Sequence, residues 1–361
     1  MQTIGLRVLR TLCCVCAVLL VSTSASAQDA PPPPDEHAAM DSIERPPIAI
    51  RGFADADFAK SNDPSEPQAF TVGQFVLHMS AQLGKKVTFF GETSFTARSN
   101  TYTLEVERVI VRYDVDDHLK LSVGRYHTPI SYWNIAFHHG LWLQTTIRRP
   151  EMIQVGGNFQ PVHFVGLLAE GSVGSPTLGL GYNAGVGNGR GGIISRAGDA
   201  GDVNGNRAAL ARIYARPAAL YGLEFGGSVY HDRVTPDAGT PADELISSAY
   251  AVLTRETPEI LAEFANVHHH ADATGVDYDS RAFYVQGAYR IVPVLKPYYR
   301  FERMYGVPGE PVFGNVDLTM STAGIRYELS DVAALKVEYR NTRRVTPTRH
   351  DGVYAQVAIT F

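Results

Sequence analysis

The chain has 361 residues, of which 19% are charged and 45% hydrophobic, with a formal net charge of −5 and a pI near 6.2. That acidic balance argues against a dedicated nucleic-acid binder, which carries a basic patch or stripe. The three cysteines, Cys13, Cys14 and Cys16, all lie in one early apolar run, so zinc–thiolate sites, cysteine nucleophiles and a disulfide framework are excluded from everything after it.

Arg7 and Arg10 lead into the apolar run 12–21, which is too short to cross a bilayer, and Ala25-Ser26-Ala27 then fits a small-x-small cleavage site. Residues 1–27 are expected to be an export signal. Residues 28–47 include Pro31 to Pro34, Pro46 and Pro47; they have no periodic apolar face and read as a disordered periplasmic leader. From residue 48 to 361 no apolar stretch reaches the length of a membrane helix, and the dominant period is two. At the C-terminus Val353, Ala355, Val357, Ile359 and Phe361 share one face, opposed by Tyr354, Gln356, Ala358 and Thr360. Leu335, Val337 and Tyr339 likewise oppose Lys336, Glu338 and Arg340.

Such segments fall at 48–58, 70–83, 87–98, 103–115, 119–126, 162–173, 178–186, 207–216, 222–232, 244–254, 259–267, 281–290, 296–305, 316–329, 334–343 and 353–361. Tight connections alternate with longer polar ones, although 99–102 is short where a longer one is expected. The pattern predicts an all-β fold, a transmembrane antiparallel β-barrel of about 16 strands lying in the outer membrane. In hydrocarbon every backbone amide must be paired within the protein, so without a spanning helix only a closed sheet can cross. Phe89, Phe90, Tyr113, Tyr299 and Tyr327 lie near expected strand ends, where interfacial aromatic girdles sit.

Catalytic signals are weak. There is no Gly-x-Ser-x-Gly elbow, and the run Gly187 to Gly192 lacks the Lys-Ser/Thr of a phosphate-binding loop and reads as flexible surface. His268-His269-His270 and His138-His139 read as polar loop rather than as metal ligands, so no catalysis, metal or cofactor is expected. The polar faces carry the stronger signal. With apolar faces toward lipid, Glu224, Glu259, Glu263, Gln286 and Tyr298 turn inward. So do the expected pore-lining residues Arg290, Arg300, Glu302, Arg326, Glu328, Lys336, Glu338 and Arg340. The four arginines come from successive strands and either form a basic stripe or are neutralised by the glutamates two residues away. A barrel of this width leaves an aqueous lumen unless something fills it.

The longest connection, 127–161, contains both tryptophans, Trp133 and Trp142, together with Tyr132, Ile135, Phe137, Leu141 and Leu143. A segment this apolar is expected to fold into the lumen as the third external loop. Its constriction candidates are Tyr132, Trp133, Trp142, Arg148 and Arg149. Val123-Gly124-Arg125-Tyr126-His127-Thr128-Pro129-Ile130, followed by Ile147-Arg148-Arg149-Pro150-Glu151, resembles the phosphate-selective porin O and P family. There a Gly-(Gln/Arg)-aromatic-x-x-Pro segment leads into the third loop. The resemblance implies a homotrimeric channel for passive diffusion of small hydrophilic solutes or anions, narrowed by that loop. Its partners would be outer-membrane lipids, the barrel-insertion machinery and the solutes. This chain places His138, His139 and aromatics where that family has a basic constriction. The rival reading is a closed structural or adhesive barrel that binds a partner through its external loops.

Overall fold

Alternating side chains make each segment a two-faced strand, and a sheet with one apolar and one polar face can close around the polar one. In the computed structural model this happens with no gap. Residues 46–64, 66, 68–98, 101–154, 157–196, 204–344 and 349–361 are described. The expected export signal and the leader up to residue 45 lie outside them. The strands are β1 Ile48–Ser61, β2 Phe70–Gln82, β3 Val87–Arg98, β4 Thr101–Asp114, β5 Lys120–His127, β6 His163–Val173, β7 Leu180–Asn188 and β8 Ala208–Ala215. They continue with β9 Leu223–Val234, β10 Ala242–Thr254, β11 Glu259–Ala271, β12 Val276–Ala288, β13 Leu295–Tyr305, β14 Leu318–Ser330, β15 Ala333–Arg344 and β16 Arg349–Thr360. Every strand is antiparallel to its chain neighbours, and β1 pairs with β16 to close a sixteen-strand barrel. No helix among the described residues is long and apolar enough to cross a membrane, which says nothing of crossing by strands.

The two faces separate as the alternation requires. On β16 Val353 and Val357 are exposed on the outside, whereas Gln356 between them is 1% exposed. On β15 Lys336, Glu338 and Arg340 are buried while Tyr339 faces out. The seam is closed by main-chain hydrogen bonds from Gly52 N to Phe361 O (2.9 Å) and from Phe361 N to Gly52 O (3.1 Å). The Phe361 ring stacks on Phe75 at 5.7 Å and covers Gly52 so closely that a Cβ there would sit 2.4 Å from the ring.

Three expectations are corrected. Residues 268–270 are not a loop tip: β11 runs on to Ala271, because His268 pairs across the sheet with Asp279 and His270 with Asp277. Arg290 is not on a strand, since β12 ends at Ala288 and the chain turns at 289–294. Phe90 is not a girdle residue: adjacent strand residues face opposite ways, and Phe90 lies inward under Arg108 at 4.4 Å.

Candidate functional site

Between β5 and β6 the chain makes its long excursion and returns, and its polar groups meet the inner faces of the wall. Within it, Tyr132–Ala136 form a short helix, α1, capped by Ser131. A five-residue helix leaves most of its N–H groups unpaired. Glu263 on β11 supplies the missing acceptors. Its carboxylate accepts from Ser131 Oγ (2.9 Å), Tyr132 N (2.7 Å), Trp133 N (2.8 Å) and the Tyr284 hydroxyl (2.6 Å). A carboxylate at a helix N-terminus is favoured by both hydrogen bonding and the helix dipole. Asn134 ties the two ends of the excursion, donating to Thr128 O (3.1 Å) and Val162 O (2.8 Å).

The later half is held by alternating wall charges. Thr145 Oγ1 donates to Glu259 (2.9 Å), Ile147 N to Glu338 (3.0 Å) and Glu151 N to Glu302 (2.6 Å). In the opposite sense the wall's cations donate to loop carbonyls. Arg300 reaches Arg148 O (2.8 Å) and Arg149 O (3.3 Å), Arg326 reaches Gln144 O (3.0 Å), and Lys336 reaches Thr146 O (3.1 Å). Burying such charges is costly unless each is paired and hydrogen-bonded. Here Glu259, Arg300, Glu302, Arg326 and Glu338 are both, and Lys336 is held by hydrogen bonds to Leu141 O, Thr146 O and Gln356 Oε1.

The arginines are therefore not a bare basic stripe. Arg300 pairs with Glu302 at 2.7 Å, Arg326 with Glu328 at 2.8 Å and Arg340 with Glu338 at 2.5 Å, each two residues away on the same strand face. Arg340 also lies 3.8 Å from the centre of the Tyr354 ring. Arg290, at the turn, bonds Glu256 (2.8 Å) and Glu328 (3.1 Å). Arg148 and Arg149 have partners of their own. Arg148 pairs with Glu66 (2.8 Å) and Glu151 (3.3 Å), and Arg149 donates to the carbonyls of His138 and Ile153. Burial opposes the charge on Glu151, but Arg148 and Arg344 outweigh it and hold that carboxyl below its ordinary value.

Two larger cavities are present, the first of them bordered by this inward segment. One of about 720 Å³ is lined by Tyr132, Trp142, Glu259, Arg290, Lys296 and Arg326, among others, and reaches the short turns at 254–256 and 329–331. A second, of about 600 Å³, lies between β2, β3, β4 and β5 and is lined by Arg108, Arg112, Tyr126 and Glu170, among others. Toward the long-loop end Arg148, Arg340 and Arg344 border a recess of only about 10 Å³. Trp133 is fully buried and Trp142 half-buried, so the tryptophan-bearing segment is packed rather than free.

Two features escaped the sequence. Arg190, in the glycine run read as flexible surface, is buried against Glu244 (3.1 Å), and its main-chain N–H donates to Asp232 (2.7 Å). At the foot of the excursion His127, His138, His139 and His163 form one buried cluster. His127 and His163 face each other across the β5–β6 ladder, a pairing that the flanking positions of one long loop would have suggested.

No protein-family model matches the chain, and no curated protein matches it significantly in sequence. Solved structures do share its fold. It is similar to an anion-selective porin from Comamonas acidovorans (10% identity, 88% of this chain and 100% of that chain covered, TM-score 0.64). It is also similar to the outer membrane channel DcaP of Acinetobacter baumannii (13% identity, 87% and 97% covered, TM-score 0.61). A third is OmpT, an outer membrane protein of Vibrio cholerae, in its trimer form (11% identity, 88% and 100% covered, TM-score 0.60). At these identities the likeness is one of fold.

Proposed function

We propose that the chain is an outer-membrane porin, exported through the periplasm and passing small hydrophilic solutes or ions by passive diffusion without catalysis. One observation carries the reading: a sixteen-strand barrel whose inner wall is lined with charge and whose bore is narrowed by an inward-folded segment. A barrel of that strand number has room for an aqueous path beside the segment, and selectivity then follows from bore width and wall charge. A trimer, as in the Vibrio cholerae protein, suits a barrel with an apolar outer belt. An anion preference is the finer proposal. It draws support from the anion selectivity of the Comamonas acidovorans porin, while the larger cavity itself is lined by basic and acidic residues in equal number. Phosphate selectivity rests on the Val123–Glu151 resemblance alone.

The rival reading, a closed barrel that binds a partner through its outer loops, is favoured by the density of contacts between the segment and the wall. Planar-bilayer recording separates the two. Stepwise conductance is expected, larger after deletion of residues 132–143, with a reversal potential on the anion side in a salt gradient. A silent bilayer with correctly folded protein would support the closed barrel, and a cation-side reversal potential would remove the anion preference.

A further inference from the structure

We propose that the barrel carries a divalent transition-metal site, with zinc as the reference ion, in which Glu107 and three of the four rings of His127, His138, His139 and His163 complete a tetrahedron. The ion would fasten the inward segment to the wall.

The placement of the donors comes first. His127 is the last residue of β5 and His163 the first of β6, and they are directly paired in the ladder. His138 and His139 follow α1 and are brought back over that rung. All four are at most 7% exposed, and one imidazole nitrogen from each lies within 4.8 Å of the others. A tetrahedron with zinc–nitrogen bonds of about 2.0–2.1 Å has edges of about 3.3 Å. Glu107 Oε2 already meets that spacing, at 3.2 Å from His139 Nε2 and 3.0 Å from His163 Nε2. The remaining nitrogens need shifts of about 1 Å, within reach of χ rotations, including a fanning apart of the His127 and His138 rings, now stacked at 3.7 Å.

Protonation is arranged for the purpose in two of the four rings. Asn134 donates through its amide nitrogen to Thr128 O and Val162 O, which orients its carbonyl oxygen toward His138 Nδ1 at 2.6 Å. Gln74 Oε1 faces His139 Nδ1 at 3.1 Å. His138 therefore carries its proton on Nδ1 and presents the Nε2 lone pair to the cluster, the outer-shell arrangement typical of metal-bound histidines, and His139 would do the same once Glu107, 3.2 Å from its Nε2, binds the ion instead. None of the four Nε2 atoms forms an aligned hydrogen bond among the described residues. His163 is the exception in tautomer, since Arg125 donates toward its Nδ1 (3.1 Å). A doubly charged ion would repel that guanidinium, and the ring proton would then move to Nδ1.

The competing account is a purely internal network, in which Glu107 bonds His139 and His163 while Glu92 bonds His78 (2.8 Å) and Arg108 and faces His127 (3.4 Å). It accounts for the carboxylates but leaves His138 Nε2 facing three other imidazoles. Imidazole-rich, thiol-free donor sets suit zinc, copper and nickel rather than calcium or magnesium.

The test uses untagged, full-length folded protein, stripped with a chelator and titrated with Zn(II). Elemental analysis after gel filtration should give about one zinc per chain, and Co(II) substitution should give the intense visible bands of a tetrahedral ion. Replacing His138 and His139 with Asn should raise the dissociation constant about 100-fold or more. Replacing the half-buried His268 and the exposed His270 should leave it unchanged. If the double variant loses its heat-resistant fold, X-ray absorption on wild-type protein decides: at least three imidazoles around zinc support the site, and fewer overturn it. Failure of the wild type to retain zinc, or retention that depends on His268 and His270, also overturns it. None of these readouts requires the barrel to conduct.

Discussion

Replacing Glu263 with Gln probes the anchor of the inward segment while keeping its shape. The carboxylate serves four donors, two on each oxygen: Trp133 N and the Tyr284 hydroxyl on Oε1, Tyr132 N and Ser131 Oγ on Oε2. An amide can serve one pair through its oxygen. Its NH2 then faces the other pair, where Ser131 can reverse its hydroxyl but the Tyr132 N–H cannot turn round. An orphaned buried N–H costs about 1–3 kcal/mol, and charge-assisted bonds are roughly twice as strong as neutral ones, so the exchange removes about 3 kcal/mol of docking energy. At about 1.4 kcal/mol per tenfold, the docked-to-released ratio falls by a factor of about 150. The strand ladder is untouched, so the barrel should still assemble and resist denaturation by detergent below its melting temperature. The chain has two tryptophans, Trp133 and Trp142, and both lie in this segment, so fluorescence reads it directly. Red-shifted emission and increased acrylamide quenching are expected. Wild-type emission and quenching in a folded E263Q variant would refute the anchoring role.

Gly124→Ala is expected to block assembly or lower the melting temperature sharply, because Gly124 has φ of +148° and a Cβ there would lie 1.8 Å from Val109 O; gel mobility before and after heating reads this. Phe361→Ser removes the ring that stacks on Phe75 over the β1–β16 seam and should reduce the heat-resistant folded fraction, measured on the same gels. Arg300→Ala leaves Glu302 buried without its cation and three loop groups without a donor, a loss of about 3–5 kcal/mol. Arg300→Met paired with Glu302→Gln should recover most of it in thermal melts, and equal losses in the single and double variants would count against the pairing.

The barrel was legible because its physics is local. Each of the sixteen strands follows from a period-two pattern that can be read without knowing its neighbours, and β3 falls at Val87–Arg98 as expected. Errors arose where polar residues continue a ladder. His268 to His270 read as loop because nothing in the local pattern shows that Asp277 and Asp279 will stand opposite them. For Glu263 the inward direction was readable, but its role as helix anchor depends on where a segment more than a hundred residues away comes to rest. The histidine cluster needed the same non-local information. The β5–β6 register and the return of His138 and His139 together bring four positions into one volume, and neither is written in any single stretch of chain.

A sheet closed on itself resists stretching along its hydrogen bonds but bends easily across them, so a wide hollow barrel is mechanically soft to squeezing from the side. The segment between β5 and β6 changes that. Besides its covalent ends, it grips Ser228 of β9 and, farther round, Glu263 of β11, Glu302 of β13, Arg326 of β14 and Glu338 of β15, of which β13 and β14 stand opposite its own ends. It is thus a spoke across the wheel. Lateral pressure from the surrounding bilayer would be carried through that spoke instead of by flattening the cross-section, and the width of any path beside it is set by the length of a few side chains rather than by fluctuations of the wall.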